Sequence, residues 1–284
     1  MAMDSQNTNS LTAEQVDATL IQPLEQASVF LSAPGIKVIE SAGALLMPSL
    51  VTGSSPSWYG QNEQIAESDP TFGELELMPS TMKSVKVLSK FSNELARQSV
   101  VALDVAISDR LVADCTNVID AQLLGKGGDG TTTPQGIFGW AGVQEIKVAG
   151  ALTLDHLIDA DGLAMTANAD ATKLTVVMNP REFTNLRKVK ATDGNYLVQP
   201  DATQPGSYVL FGHKVIVSNH VPAGSVALVD FSQVVVARDA SPSVKVLDQT
   251  FGDFDAVAVR ATARYDAKPA NPKAVIKLTG IAWA

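Results

Sequence analysis

Ser92–Gly125 reads SNELARQSVVALDVAISDRLVADCTNVIDAQLLG, and the fold turns on how this stretch is read. Ser92 or Asn93 can cap a helix, and Glu94 stands in the first turn, where the helix dipole favours an anion. Leu95, Val100, Leu103, Ile107, Leu111, Val118 and Leu123 then recur at spacings of mostly three to five. The pattern predicts one helix of about 30 residues ending at Gly125, roughly 45 Å long at 1.5 Å per residue. A helix so far above the usual length crosses a whole molecule and acts as its spine.

Working outward, Ser57–Phe91 (SWYGQNEQIAESDPTFGELELMPSTMKSVKVLSKF) sets a polar, acidic, turn-rich centre, Gln61 to Pro70, between strand-like flanks. In the second flank Leu75, Leu77, Val85 and Val87 alternate with polar residues, as a half-buried strand requires. The expectation is a long two-stranded excursion. Such a hairpin is marginal alone in water, so it implies a supporting partner surface. Residues 1–55 carry no sustained periodicity, are rich in small polar residues and are broken by Pro23, Pro34, Pro48 and Gly53; they read as an arm that packs on something else.

On the other side of the spine, GKGGDGTTTPQGIFGW is a loop and residues 150–235 read as an α/β layer. Leu154 to Met165 is helical, LTVVMNP is a short buried strand, and Pro180 to Val189 suits a helix that begins at proline. HKVIVSN and SVALVDF are further apolar strands. SQVVVARD, SVKVLDQTF, DAVAVRATARY and KAVIKLTGIAW complete the chain with β patterns. The fold class is α+β.

With 284 residues, 45% of them apolar and 18% charged, the chain has the composition of a globular protein with a sizeable core. Its single Cys115 allows no internal disulfide. The first residues are polar and acidic, unlike a signal peptide, and no apolar run is long enough to span a bilayer. Net charge is −9, and the excess lies at one end: residues 1–80 hold ten acids against Lys37 alone, and the remainder holds 20 charges of each sign. Without a basic arm or cluster, tight DNA or RNA binding is not expected.

Candidate chemistry is sparse. G125-K-G-G-D-G130 follows a helix and precedes a Thr-Pro loop, whereas a phosphate loop needs Gly-Lys-Ser/Thr leading from a strand into a helix, so a helix cap and turn is the better reading. His156, His213 and His220 have no metal-motif spacing and no cysteine cluster beside them. Asp155 and Asp159 near His156 suit a solvated helix face. Cys115 lies in the spine pattern, where a packed thiol is inert. No Ser stands in G-x-S-x-G. The acidic Glu63, Glu67 and Asp69 fit a cation site less well than a loop docking on basic groups, with Arg97, Arg110, Arg260 and Arg264 as candidates.

An ordered set of segments resembles the tailed-phage major capsid family with the Hong Kong-type fold, which encapsulin shells share. The segments are LIQPLEQASVF, SWYGQNEQIAESDPTFGELELMP, the spine itself, TPQGIFGW, VVMNPREFTNLRKVKATDGNYL, LFGHKVIVSNHVPAGSVALVDF and VAVRATARYDAKPANPKAVIKL, covering Thr19 to Leu278. The resemblance implies an N-arm (1–50), an extended E-loop (51–90), a peripheral domain (91–130 and 236–284) and an axial domain (131–235). It implies a non-enzymatic shell protein with no cofactor or metal, found in the virion and assembled in the host cytoplasm. Its partners would be copies of itself in hexamers and pentamers, a portal, a separate scaffolding protein and a decoration protein, around DNA that is enclosed rather than tightly bound, and no membrane.

Contacts between subunits are expected at Trp58, Tyr59, Glu63, Glu67, Asp69 and Phe72 of the E-loop. Leu20, Ile21 and Phe30 of the arm, and Arg97, Asp253 and Phe254 of the peripheral domain, are expected to join them. Two departures stand out. No long scaffolding segment precedes the arm, so it is a separate protein or was removed. Some members join an E-loop Lys to a neighbour's Asn, but here no Lys lies between Lys37 and Lys83, Met78 stands where that Lys is expected, and no Asn lies between Asn219 and Asn271. No covalent chain-mail is expected. An encapsulin-like compartment is the alternative, and a cytosolic hydrolase a distant third.

Overall fold

The structure, a computed structural model, describes residues 22–52, 58–62, 64, 71–78, 83–92, 103–190, 196–198, 208–239, 243–247, 250 and 255–283. The spine helix is seen from Leu103 to Leu123. From Leu111 onward its buried positions are 111, 112, 115, 116, 119, 120, 123 and 124, one continuous stripe at helical spacing. Val118, read as part of the core pattern, falls off that stripe and is exposed. Ser92 is not a helix cap: it ends a strand, Ser84–Ser92, paired to Ala256. The first third of the expected helix, with Asn93 and Arg97, lies outside the described residues.

Two sheets flank the spine. The elements in chain order are α1 (Gln22–Ala27), β1 (Lys37–Ser41), β2 (Leu45–Thr52), β3 (Thr71–Leu77), β4 (Ser84–Ser92) and the spine α2 (Leu103–Leu123). There follow β5 (Gln144–Gly150), α3 (Leu154–Thr166), β6 (Leu174–Met178), α4 (Pro180–Arg187), β7 (Val209–Leu210), β8 (His213–Val217), β9 (Ser225–Asp230), β10 (Val234–Asp239), β11 (Ser243–Leu247), β12 (Ala256–Pro269) and β13 (Val275–Ile281). One sheet runs β5-β13-β9-β6-β8-β7. The other runs β1-β10-β12-β11, with β4 on the free side of β12. β12 is long enough to serve two partners on one flank: residues 265–269 pair with β10 and 258–262 with β11.

Side-chain alternation feeds separate cores from opposite faces of the same strands. Val226 and Leu228 of β9, Leu174, Val176 and Met178 of β6, and Ile276 and Leu278 of β13 pack beneath α3 and α4. Their neighbours Ala227, Val229, Val177 and Val275 face the core that contains the spine. Strands buried on both faces read as unbroken apolar runs, which is why LTVVM and SVALV were legible. β10 does the same at smaller scale: Val234 and Val236 join the spine core, Val235 and Ala237 a third cluster.

The first 50 residues are not wholly a detached arm. α1 and the turn after it lie against the spine through Asp120, a carboxylate in the middle of the buried stripe. It accepts hydrogen bonds from the Ser28 hydroxyl (2.6 Å) and the backbone N–H groups of Val29 (2.9 Å) and Phe30 (3.2 Å). Phe30 is fully buried and meets Phe231 edge to face at 5.8 Å, so it has no surface left for a neighbour, contrary to the sequence expectation. β1 then runs parallel to β10, and Arg238 of β10 reaches back to Glu25 (2.7 Å) and Glu40. A parallel edge strand of five residues with a polar pattern left no periodic signal in the sequence.

β2 and β3 form a separate two-stranded ribbon, Leu45–Leu77 through Leu50–Phe72. Its second flank stops at Met78, and Val85 and Val87 belong to β4 inside the body rather than to the excursion. Where the ribbon meets the body, Asp266 of β12 is completely buried and pairs with the equally buried Lys83 at 2.6 Å. The same carboxylate accepts the N–H of Met78 (3.0 Å) and of its own neighbour Ala267 (3.0 Å). Met78 carries a left-handed φ of 50° and is buried, and the Lys268 ammonium bonds the carbonyl of Glu76. Leu77 and Met78 pack on Val235 and Ala237.

Removing one partner of a buried ion pair strands the other charge, so Asp266→Ala should cost about 3–5 kcal/mol in urea unfolding. The double change Lys83→Met with Asp266→Leu should recover only part of this, staying about 1–3 kcal/mol below the native protein because the amides of Met78 and Ala267 lose their acceptor. Asp120→Ala should cost on the order of 2–4 kcal/mol, with Asp120→Asn less damaging because a carbonyl acceptor remains. The Cys115 thiol is pushed up to about 11 by burial and by the Asp114 charge. It should react with a thiol reagent at pH 8 only after denaturant is added.

Candidate subunit interface

The surface offers no catalytic constellation among the described residues, and no group of acids, histidines or cysteine there is placed to hold a metal. His156 caps its own helix: its Nδ1 lies 3.2 Å from the Thr153 N–H and 2.8 Å from the Thr153 hydroxyl. His213 is buried with Nε2 3.3 Å from Asp161, and the His220 N–H donates to the Ser218 hydroxyl. Asp155 and Asp159 are exposed on the outer face of α3.

The glycine-rich stretch after the spine is a closed turn. Asp129 accepts from the N–H groups of Thr131, Thr132 and Thr133 at 2.9–3.0 Å and from the Thr132 hydroxyl at 2.6 Å, which holds its carboxyl far below the usual range. Those amides, the ones a phosphate would need, are already occupied. The following segment returns onto the end of the spine, with Ile137 N–H donating to Leu123 O at 2.8 Å. A Cβ at Gly136 would stand 2.2 Å from the Gly125 carbonyl, so only glycine permits that approach.

The surface does carry exposed apolar groups in charged frames. Trp58 near the ribbon tip is entirely exposed and Tyr59 half-buried. Phe72 sits on β3 opposite Leu50. Glu63, Glu67, Asp69, Leu20, Ile21, Arg97, Asp253 and Phe254 lie outside the described residues. On the ribbon's outer face Glu74, Glu76 and Leu46 are exposed, Leu46 to 58%. Of the basic groups named as docking candidates, Arg110 pairs within its helix to Asp114 (3.0 Å) and Arg264 to Asp239 (3.2 Å). Arg260 has no ion pair among the described residues.

Two basic surfaces escaped the sequence reading. β4 turns Lys86, Leu88 and Lys90 outward, the face opposite Val85 and Val87. α4 and the residues after it expose Arg181, Arg187, Lys188 and Lys190, Arg187 lying 4.9 Å over the Tyr208 ring. The statement that the chain lacks a basic cluster therefore fails at REFTNLRKVK, where helical folding gathers charges that the alternation with apolar residues had diluted. The helix keeps Glu182 inside, accepting from Gly224 N–H (3.0 Å) and the Trp283 indole.

Comparison with known proteins agrees with this geometry. No curated protein matches the chain. Among solved structures, the capsid of a native GTA particle is similar at a TM-score of 0.73 and 18% identity, over 99% of this chain and 95% of that one. The chain labelled Microbacterium phage Oxtober96 gives 0.72 and 15%, over 90% and 91%. A virus-like particle from Pyrococcus furiosus gives 0.60 and 14%, over 93% and 98%. These likenesses establish the Hong Kong-type fold across nearly the full length. The model of the phage capsid family matches residues 9–280. A chain matched by that model over residues 9–280 belongs to the phage capsid family, a family of structural shell proteins.

Proposed function

We propose that this protein is the major shell subunit of a tailed-phage head, assembling as hexamers and pentamers into an icosahedral shell around a double-stranded DNA genome without Lys–Asn cross-links. The observation that carries the reading is the β2–β3 ribbon. It is anchored to its own chain at one end, through Asp266, Lys83 and Lys268, and it exposes Leu46 and Trp58 beyond that anchor. A two-stranded ribbon of this kind gains its stability from a surface it lies on. A thin subunit that lays a ribbon over its neighbour reaches the roughly 2,000–5,000 Å² typical of obligate interfaces.

Trp58, Tyr59 and Phe72, with the acidic Glu63, Glu67 and Asp69, are the ribbon's contacts in this reading. Leu20 and Ile21 contribute from the arm, and Arg97, Asp253 and Phe254 from the body. The domain scheme of arm, E-loop, peripheral and axial parts assigns α2 with β10–β12 to the peripheral domain and β5–β9 with α3 and α4 to the axial domain; β13, which the scheme's boundaries put in the peripheral domain, pairs instead with β5 and β9. Portal, scaffolding and decoration proteins are its expected partners. The absence of cross-links is supported by two features: no lysine lies between Lys37 and Lys83, and Met78, the position matching the reactive lysine, is buried at the ribbon root.

A nanocompartment is the second reading, favoured by the likeness to the Pyrococcus furiosus particle over nearly all of both chains. Electron microscopy of the expressed protein should show closed shells, and shells from infected cells should contain DNA and a portal rather than a cargo enzyme. Boiled in detergent, mature shells should run as a single band near the 29.9 kDa monomer. A ladder of covalent oligomers would refute the cross-link-free assembly, and a soluble monomer at every concentration would refute the shell.

A further inference from the structure

Three clefts join into one groove across the end of the six-stranded sheet. The first, about 290 Å³, is lined by Lys126, Glu145, Gly224, Lys277 and Thr279 among others. The second, about 300 Å³, shares Gly224 and Ile281 with it and is also lined by Arg181 and Trp283. Those two residues line the third as well, about 470 Å³, together with Lys188. From Lys277 to Ile281 β13 rises about 13 Å, and from Arg181 to Lys188 the α4 helix and its cap rise about 10 Å, so the groove is long enough for several units of an extended chain.

Its charge is one-sided. Lys126, Lys147, Arg181 and Lys188 are exposed and form no ion pair among the described residues, and Lys147 stands beside Thr279 in register. Lys277 lies 3.8 Å from Glu145, which accepts the Thr279 hydroxyl at 2.7 Å. That hydrogen bond, and then Lys277, Lys147 and Lys126, hold the Glu145 carboxyl below its usual range. At the other end Glu182 is buried and already engaged by the Gly224 N–H and the Trp283 indole. The bond to Glu182 fixes the indole, which packs in part on the core beneath α3 and α4 and leaves the rest of its ring on the groove. Between the two ends Gly224, at a φ of 71°, passes so close to the Ile281 carbonyl that a Cβ would stand 2.8 Å from it, so the floor there is bare backbone.

We propose that this groove binds an unpaired strand of nucleic acid, with phosphates on Lys126, Lys147, Arg181 and Lys188 and a base stacked on Trp283. A row of cations beside a fixed aromatic face holds single strands without reading their sequence. A duplex keeps its bases stacked inside and offers phosphates alone, which leaves the indole without a partner. An acidic peptide satisfies the cations but gains nothing specific from the ring. The site lies within one chain, so it goes beyond the shell reading and stands without it. Neutralising three or four phosphates of a single strand gives affinity a log–log salt slope of about −2 to −3.

The test is fluorescence anisotropy of labelled oligo(dT), oligo(rU), a DNA duplex and an oligo-glutamate, each about 12 units long, titrated with the full chain at about 0.05 M and about 0.2 M salt. Thermal melts confirm that each variant is folded. A single strand should bind at least about tenfold more tightly than the duplex and lose about 20- to 50-fold in affinity over that salt range. Arg181→Glu with Lys188→Glu should weaken it at least about tenfold, whereas Lys86→Glu with Lys90→Glu, on β4, should leave it unchanged. Trp283→Leu should weaken it at least about fivefold, and Trp283→Phe should keep most of the affinity. Binding of oligo(dT) alone or oligo(rU) alone supports the site and names the source of its ligand. The inference is overturned if neither strand binds at the lower salt, if the duplex binds as tightly, or if reversal at α4 does no more than reversal on β4. It is overturned equally if oligo-glutamate binds as tightly and is indifferent to Trp283→Leu, which would make the groove a site for acidic peptides. Shell closure is read separately by microscopy, and none of these outcomes alters it.

Discussion

The Asp266 carboxylate is the constraint on which the arrangement depends. It lies in β12, the one strand shared by both halves of its sheet, and it is buried where the ribbon leaves the body. An unpaired charge there would be prohibitive, and the chain supplies a lysine and two backbone amides to hold it. Those three donors come from Lys83, from Met78 on the ribbon's last turn, and from β12 itself. Satisfying one oxygen pair therefore fixes the exit of the ribbon relative to the sheet. A purely apolar root would bury the same area without specifying the angle.

Asp120 repeats the device on the spine, with donors from the turn after α1. Glu182 repeats it beside the six-stranded sheet, joining α4 to the Gly224 turn and the penultimate tryptophan. In each case an acid that composition alone would assign to the surface is the joint between elements distant in sequence. The described carboxylates are accordingly of two kinds: a few that act as internal joints, and others, such as Glu74 and Glu76 on the ribbon, that face outward.

This explains which parts of the fold could be read in advance. α3, α4, β6, β8, β9, β12 and β13 were visible because their apolar residues recur at the period of their element and Pro180, Gly224 or Asn179 punctuates them. β5 and β1 were missed because each is an edge strand with lysines or glutamates at alternate positions and little to distinguish it from loop. Phe30 was assigned outward because nothing in LIQPLEQASVF shows that Asp120, 90 residues later, will hold it in. Of the candidate interface, Trp58 and Arg260 were legible as isolated aromatic and basic residues. The face that contains Arg260 was not, because it exists only once β4 and β11 are set in register on either side of β12. Lys83 entered the sequence reading merely as the end of a lysine-free interval; its charge concealed its burial.

The position of that root also has a mechanical side. β12 holds nine consecutive residues against β4, five against β11 and five against β10. Hydrogen bonds in an antiparallel ladder run perpendicular to the strands, so tension applied to Asp266 along β12 loads all of these bonds in shear together rather than one after another. A tug on the ribbon is thereby spread across the whole sheet before any single bond yields. In the shell reading, the link between Lys83 and Asp266 is the joint through which load on the ribbon enters the sheet.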